Sequence, residues 1–351
     1  MTADAPCYYT MRTFAAPVQR PAAAGSHTPM LTGIRDAVLI YNPTSGRRRA
    51  LRQDLLEMAR RSLSASGGMD VELQATAGPG HATELARRAV AQNRQLVILS
   101  GGDGTLNEAV NGLAGSKVPL ALLPSGTANV LGKELALPWD IPRAAALIPS
   151  STLRRIALGL AVCPSSSQPP RYFICIGGAG PDGAMIYNVD VETKRSLGIL
   201  AYWLEGAKMA ATYRFPAFRV TSPELSLDAA VLVVGRTKHY GGPVQITTRA
   251  SLFDNSFEVM AAMRLSRWRQ LAQFPAVFTG RMRERKDVYF WKTSSVRVEP
   301  LPGSGKIYAQ VDGECIGAIP VEFSIVPDAL TLAVPSCANL APPAWTSGGG
   351  G

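Results

Sequence analysis

The sequence predicts an α/β plus β protein. An N-terminal doubly wound domain with a parallel sheet precedes a mainly antiparallel β-sandwich domain, with a cleft between the two. Three observations predict this. From Asp36 to about Pro149, short continuous apolar runs alternate with stretches of helical period, as in strands covered on both faces by crossover helices. After about Arg154, short β-rich runs separated by turn residues take over. The chain has 351 residues, which accommodates two domains at roughly 100–200 residues each.

Residues 1–33, rich in Ala, Pro, Thr and Ser, read as a flexible leader. The first strand is Ala37-Val38-Leu39-Ile40-Tyr41, ended by Asn42-Pro43. A helix from about Arg48 to Ser64 carries Leu51, Leu55, Met58 and Leu63 near helical spacing. Val71 to Gln74 alternates as a strand, and His81 to Gln92 is a helix with Leu85, Ala89 and Val90 as its buried stripe. Leu96 to Leu99 is a continuous apolar strand, and Leu106, Ala109, Val110 and Leu113 mark the next helix. Leu120 to Leu123 repeats the pattern, followed by a glycine turn and a helix. We place this domain at 34–153, with the strand near 321–336 as a candidate to complete it. The second domain, 154–320, has strands at Tyr172–Ile176, Phe218–Thr221, Ala230–Val234, Val244–Thr247, Phe257–Met260, Ser295–Val298 and Lys306–Val311, and helices near 190–212 and 265–280. Residues 337–351, ending in four glycines, read as a disordered tail.

Hydrophobic residues make up 46% of the chain and charged residues 18%, enough apolar surface for substantial cores. The formal net charge of +10 suits nucleic acid or an anionic membrane surface. No nucleic-acid signature accompanies it, so phosphate ligands and lipid headgroups are the preferred partners. Five spread cysteines without a C-x-x-C pair point away from a disulfide framework or zinc site and toward a reducing cytoplasm. No secretory signal is evident, and no uncharged apolar run reaches the roughly 18 residues of a membrane span. Any membrane contact is therefore expected to be peripheral.

Ser100-Gly101-Gly102-Asp103-Gly104-Thr105 lies between a buried strand and a helix. Clustered glycines let the backbone approach phosphate oxygens, and the N–H groups of the turn and helix N-terminus face the anion. A carboxylate in that loop implies either Mg²⁺ or a proton-accepting role, so Asp103 is a candidate for both. Asn42-Pro43-Thr44-Ser45-Gly46 occupies the equivalent position after the first strand, with Arg47 to Arg49 adding charge, and Pro124-Ser125-Gly126-Thr127-Ala128-Asn129 follows the fourth. Three such loops at strand carboxyl ends converge on one sheet edge, where open α/β sheets bind ligands.

These three motifs, in this order, resemble the catalytic domain of the diacylglycerol kinase, sphingosine kinase and bacterial lipid kinase superfamily. The order continues downstream: Lys194, Gly198 and Tyr202 on one helix, Tyr240-Gly241-Gly242, then Asp312-Gly313-Glu314. The resemblance covers about residues 34–336; its Gly-Gly-Asp-Gly-Thr element alone is shared with NAD kinases and phosphofructokinases. It implies an ATP-dependent phosphotransferase acting on a lipid hydroxyl, with Mg²⁺. ATP would lie against Asn42 to Gly46, Thr76, Gly101, Gly102, Asp103, Gly104, Thr105, Asn107, Gly126, Thr127 and Asn129. Asp103, Asp312 and Glu314 are the catalytic candidates, with Glu314 preferred over Asp312 as the late base and Asp103 as its rival. A structural Mg²⁺ is implied near Ser251, Asp254 and Ser256. The chain departs from the pattern there, with Asp254-Asn255 where the family often has Asp-Gly, and it lacks a common Asn near Gly235. A soluble-alcohol kinase of the NAD kinase type and a non-catalytic nucleotide- or lipid-binding module remain alternatives, and a homodimer stays open.

Gly178-Ala-Gly180-Pro-Asp-Gly183 fits the dinucleotide fingerprint, but it opens the second domain rather than a first βαβ unit and contains Pro181. Asp182 is expected to face the cleft instead. Arg264 to Arg297 interleaves basic and aromatic residues, including Arg267, Trp268, Arg269, Phe274 and Phe278, which suits an anionic membrane interface as well as an ordinary helix face. The three histidines have no metal-ligand spacing.

Overall fold

The computed structural model describes residues 31, 33–46, 52–188, 213–241, 244–263, 276–277 and 279–336. Most of the leader, the tail, Arg47 to Arg49, the Lys194–Tyr202 helix, Gly242 and most of the 265–280 helix lie outside the described residues.

The first domain runs β1 (Asp36–Tyr41), α1 (Arg52–Gly67), β2 (Asp70–Ala75), α2 (His81–Ala91), β3 (Leu96–Gly101), α3 (Asp103–Leu113), β4 (Pro119–Pro124), α4 (Val130–Glu134) and α5 (Ile141–Ala146). The strands are parallel in the order β2-β1-β3-β4. β3 and β4 are buried at every residue, which explains why their sequences do not alternate. Leu56, Ala59 and Leu63 of α1 pack with α5 on one face of the sheet, and α2 and α3 cover the other. Gly112 is what lets α2 and α3 approach: a Cβ there would stand 2.6 Å from the Ala86 Cβ. The strand order reverses direction between β1 and β3, the position at which doubly wound sheets open a crevice beyond their strand ends.

A long strand, β5 (Thr152–Val162), leads out of this domain. It was not apparent in the sequence because an Arg154-Arg155 pair interrupts it, and beyond them Ile156, Leu158, Leu160 and Val162 alternate with Ala and Gly rather than with polar residues. The chain continues through β6 (Arg171–Phe173), β7 (Ile176–Ala179), α6 (Pro181–Asn188), β8 (Phe218–Thr221), β9 (Ser226–Ala229), β10 (Val231–Gly235), β11 (His239–Gly241), β12 (Val244–Gln245), β13 (Phe257–Ala262), β14 (Val288–Thr293), β15 (Ser295–Pro300), β16 (Tyr308–Val311), β17 (Glu314–Ala318) and β18 (Val321–Val334). β18 returns to the first domain, pairing parallel with β4 at Thr331 and Leu332 and antiparallel with β5 along most of its length. The single strand expected at Tyr172–Ile176 is two: β6 joins β5 in the large sheet, whereas β7 lies between β10 and β16 in a separate antiparallel sheet of order β14-β13-β10-β7-β16-β17.

The two sheets of the second domain sandwich an apolar core. Phe173, Phe218, Val298 and Phe323 come from the large sheet and Val234, Phe257, Val259 and Val311 from the small one, all fully buried. Phe173 stacks on Phe257 at 5.7 Å and meets Phe323 edge-on at 6.0 Å. Gly159 leaves room for that ring, since a Cβ would come within 2.2 Å of the Phe173 Cζ. Phe173→Ala is therefore expected to lower stability by about 3–5 kcal/mol in urea unfolding. Gly159→Ala should also destabilise, by displacing the same ring; unchanged midpoints for both would show that the ring stack is not the centre of this core.

Candidate active site

The three loops read from the sequence meet at the carboxyl edge of β1, β3 and β4. Asn42, after β1, donates from Nδ2 to the Thr105 Oγ1 (3.2 Å). Its own Oδ1 accepts from the Thr44 N–H and hydroxyl, both at 2.9 Å, which forms the Pro43-Thr44 turn. Ser45 closes back on the Asn42 carbonyl, and Gly46 leaves the turn at φ +72°. Thr76 joins the same edge through its N–H to the Tyr41 carbonyl. The loop after β4 touches the one after β3 directly: the Ser125 N–H donates to the Gly101 carbonyl and the Ser100 Oγ to the Ser125 Oγ at 3.1 Å. Gly126 and Gly102 are so close that a Cβ on Gly126 would stand 2.4 Å from the Gly102 Cα. Thr127 is exposed on the outside of this junction.

The second domain brings its acids to this edge by a β-hairpin. β16 and β17 are joined by the two residues Asp312-Gly313, between the paired Val311 and Glu314. Both turn residues have positive φ, +47° and +83°, the conformation that favours Asp-Gly in two-residue hairpins. The Asp312 carboxylate then turns inward. Oδ1 accepts from the Cys175 and Ile176 N–H groups and Oδ2 from the Ile174 N–H, each at 2.9 Å. Oδ2 also accepts from the Asn107 Nδ2 on α3, at 3.0 Å. These bonds explain the break between β6 and β7, because three successive N–H groups there serve a carboxylate instead of a strand. Glu314, the next side chain along, is placed over the glycine loop: its Oε1 lies 3.0 Å from where a Gly104 Cβ would be.

The acids differ in their surroundings. Asp103 caps α4, accepting the Val130 N–H at 2.7 Å on Oδ1. Burial raises its pKa to about 6, with the nearby Asp312 adding to the rise and the Val130 and Asn129 N–H groups opposing it. Burial likewise holds Asp312 above the usual carboxylate range, against its hydrogen bonds from Ile174, Ile176, Asn107 and Cys175. Lys133, one turn into α4, is lowered by burial and partly restored by Asp103.

Two nucleotide-lining candidates have other partners. Asn107 is fully buried, and besides Asp312 it bonds to the Tyr172 carbonyl and accepts from Arg171. Asn129, also buried, folds its amide onto the Gly126 N–H and carbonyl. Both shape the loops from behind rather than presenting their side chains. Asp182 is buried between the Tyr240 hydroxyl, which donates to Oδ1, and the Gln310 Nε2 at 2.5 Å. Gln310 in turn accepts the Gly313 N–H at 2.9 Å. Gln310 was not foreseen, and nothing in its local pattern distinguishes it from a strand residue. Lys133 could have been found, since it lies one turn after a glycine loop in a short helix.

Around Ser251, Asp254 and Ser256, where the resemblance implied a metal, several of the oxygen donors have protein partners. Ser251 Oγ accepts from the Phe253 N–H, and the Asp254 carboxylate takes the Lys292 Nζ at 2.6 Å. The Leu252 and Asp254 carbonyls receive the guanidinium of Arg236. Among the described residues no three His, Cys, Asp or Glu side chains gather as a metal-holding group.

Residues 36–161 match the family model described as the diacylglycerol kinase catalytic domain, and residues 178–334 the one described as the YegS C-terminal NAD kinase beta sandwich-like domain. A diacylglycerol kinase of Bacillus subtilis (strain 168) is 32% identical over 304 residues, 83% of this chain and 93% of that protein. The chain belongs to the diacylglycerol kinase family. A diacylglycerol kinase of Staphylococcus saprophyticus is 28% identical over 82% of this chain and 91% of its own. The fold also matches a crystal structure from Bacillus anthracis str. Sterne, assigned as a diacylglycerol kinase, with a TM-score of 0.72 at 22% identity, covering 88% of this chain and 97% of that one.

As a member of this family the chain is a lipid kinase, a phosphotransferase that uses ATP. The loop edge fits a polyphosphate. The eleven-residue α3 begins immediately after Gly102, with no side-chain cap on its first N–H groups, and anions are stabilised at such helix starts. The glycines keep that space clear of side chains, and Gly126 has no alternative in its contact with Gly102. Gly126→Ala should therefore lower kcat/KM for ATP by at least about tenfold, the equivalent of about 1.4 kcal/mol. Gly102→Ala, whose Cβ would meet only the Gly126 Cα at 3.6 Å, should have the smaller effect. Steady-state kinetics against ATP compare them, and the reverse ranking would contradict the loop packing described here.

Proposed function

We propose that the chain transfers the γ-phosphoryl group of ATP to the hydroxyl of a diacylglycerol-like lipid, with Glu314 as the base. The observation that carries this reading is the position of Glu314 over Gly104, an acid from one domain facing the phosphate loop of the other. The relatives named diacylglycerol kinase support the choice of lipid. ATP would lie along the Asn42–Gly46, Gly101–Thr105 and Gly126–Thr127 loops, with Thr76 at their rim. Phosphoryl transfer needs positioning and charge neutralisation more than covalent chemistry. A Mg²⁺ ion held at Asp103 would supply part of that neutralisation. The α3 N-terminus and Lys133 stabilise negative charge from the protein side. A lipid alcohol is a weak nucleophile at neutral pH, so a carboxylate within hydrogen-bond reach of its proton aids the attack. Asp312 has both oxygens engaged by donors, which leaves it the anchor of the turn and Glu314 the free acid of the pair.

Among the described residues no helix is long and apolar enough to cross a membrane. The net charge of +10 favours approach to an anionic membrane surface from one side, as a peripheral protein of the cytoplasm.

Glu314→Gln is expected to lower kcat by about 100- to 10,000-fold, with KM for ATP nearly unchanged. The assay follows radiolabelled ATP with mixed vesicles of diacylglycerol, ceramide or sphingosine, and with soluble NAD. Transfer to diacylglycerol is the expected result, and turnover on NAD alone, or on nothing, would refute the proposal. A second expectation concerns pH. Burial raises the Asp103 carboxyl to about 6 with no cation beside it, and a proton there competes with Mg²⁺, so at subsaturating Mg²⁺ kcat/KM for ATP should fall as the pH drops toward 6. Asp182 titrates near the same value, so the fall should persist in Asp182→Asn. Its loss in that variant would assign it to the wrong carboxylate.

A further inference from the structure

Arg236 follows β10 and has no solvent exposure. Its Nη2 donates to the Leu252 carbonyl at 2.6 Å and its Nη1 to the Asp254 carbonyl at 3.1 Å. Its Nε has no hydrogen-bond partner. Among the described residues no carboxylate touches the guanidinium directly, yet Asp254 and Asp312 lie near enough to favour its charge. Burial lowers its pKa to about 10, so it remains a cation at neutral pH. Lys292 from β14 neutralises the Asp254 side chain at 2.6 Å.

Removing a guanidinium from water is costly unless oxygen partners offset it. Here two main-chain carbonyls and two nearby carboxylates do so. Carbonyl oxygens and a carboxylate converging from one loop are the donor chemistry of a hard divalent cation. In this chain both kinds of donor are turned onto basic side chains. A Mg²⁺ ion could reach them only by displacing the guanidinium and competing with the ammonium for Asp254.

We propose that Arg236, assisted by Lys292, is a built-in cation that takes the place of a structural Mg²⁺ in the second domain. The arrangement ties the loop before β13 to the end of β10. The Arg236 N–H also donates to the Cys175 carbonyl at 2.8 Å, and the Cys175 N–H is one of the Asp312 donors. The main chain at 236 therefore lies one peptide removed from the anchor of the Glu314 turn, while the Arg236 side chain holds the 252–254 loop. The departures seen in the sequence acquire a common cause: the residue after Gly235 is Arg, and the loop it holds reads Asp254-Asn255.

The test uses the full chain without nucleotide or lipid, so its outcome is independent of which acceptor the cleft phosphorylates. After dialysis against EDTA, elemental analysis should find well under one divalent ion per chain. The melting temperature should be the same in EDTA and in millimolar Mg²⁺. Arg236→Asn should melt lower by at least about 3 °C, and Mg²⁺ should restore part of the loss where sodium chloride of equal ionic strength does not. A retained divalent ion in the wild-type chain, a wild-type melting point that falls in EDTA, or an Arg236→Asn variant indifferent to Mg²⁺ would each overturn the proposal. Should Arg236→Asn fail to fold, the two wild-type measurements decide.

Discussion

The site depends on one carboxylate. Asp312 receives three main-chain N–H groups from the 174–176 segment and the amide of Asn107 from α3. The first three fasten the β16–β17 hairpin to its own domain. The fourth fastens it to the helix whose first turn is the glycine loop. A buried carboxylate with four donors is electrostatically strong in a low-dielectric setting, and correspondingly costly to leave partly satisfied. Its geometry is reinforced from both sides. The turn is pinned by Gln310, which accepts the Gly313 N–H, and Asn107 is held by Arg171 and the Tyr172 carbonyl. The position of Glu314 over Gly104 follows from this clamp, since Glu314 is the first residue of β17 and its main chain is set by the turn.

The two domains also share one continuous sheet. β5 leaves the first domain and β18 returns to it, paired along nearly their whole length, so the second domain is built on strands rooted in the first. Such a connection resists large hinge motion more than a single linker does. The aromatic core around Phe173 lies directly behind the 174–176 segment. Packing therefore fixes the backbone whose N–H groups orient Asp312, and through it the cleft.

Much of this was legible in the sequence, and the reasons for the rest are local. β1, β3 and β4 announced themselves as uninterrupted apolar runs, and the loops after them as clusters of glycine and hydroxyl residues. The Asp-Gly dipeptide at 312–313 was read as a motif of acids, although it is equally a two-residue hairpin turn. That second meaning gives Asp312 a structural task, completing a turn and capping three N–H groups. The break between β6 and β7 was hidden because its cause lies more than 130 residues downstream. Asn107 and Asn129 stood within recognisable motifs, but motif membership does not reveal whether an amide faces the ligand or the loop behind it. The partners of the Asp254 loop were hidden for a related reason, as Arg236 and Lys292 reach it from distant parts of the chain.

The central claim is that the Asn107–Asp312 bond acts on catalysis by holding Glu314 in place. A double-mutant cycle on kcat, using Asn107→Ala, Glu314→Gln and the pair, tests it most directly. On this account Asn107→Ala slows the otherwise unaltered enzyme but adds little once Glu314 is already Gln. Equal slowing in both backgrounds would contradict it, and would mean that Asn107 serves the reaction by some route other than the acid.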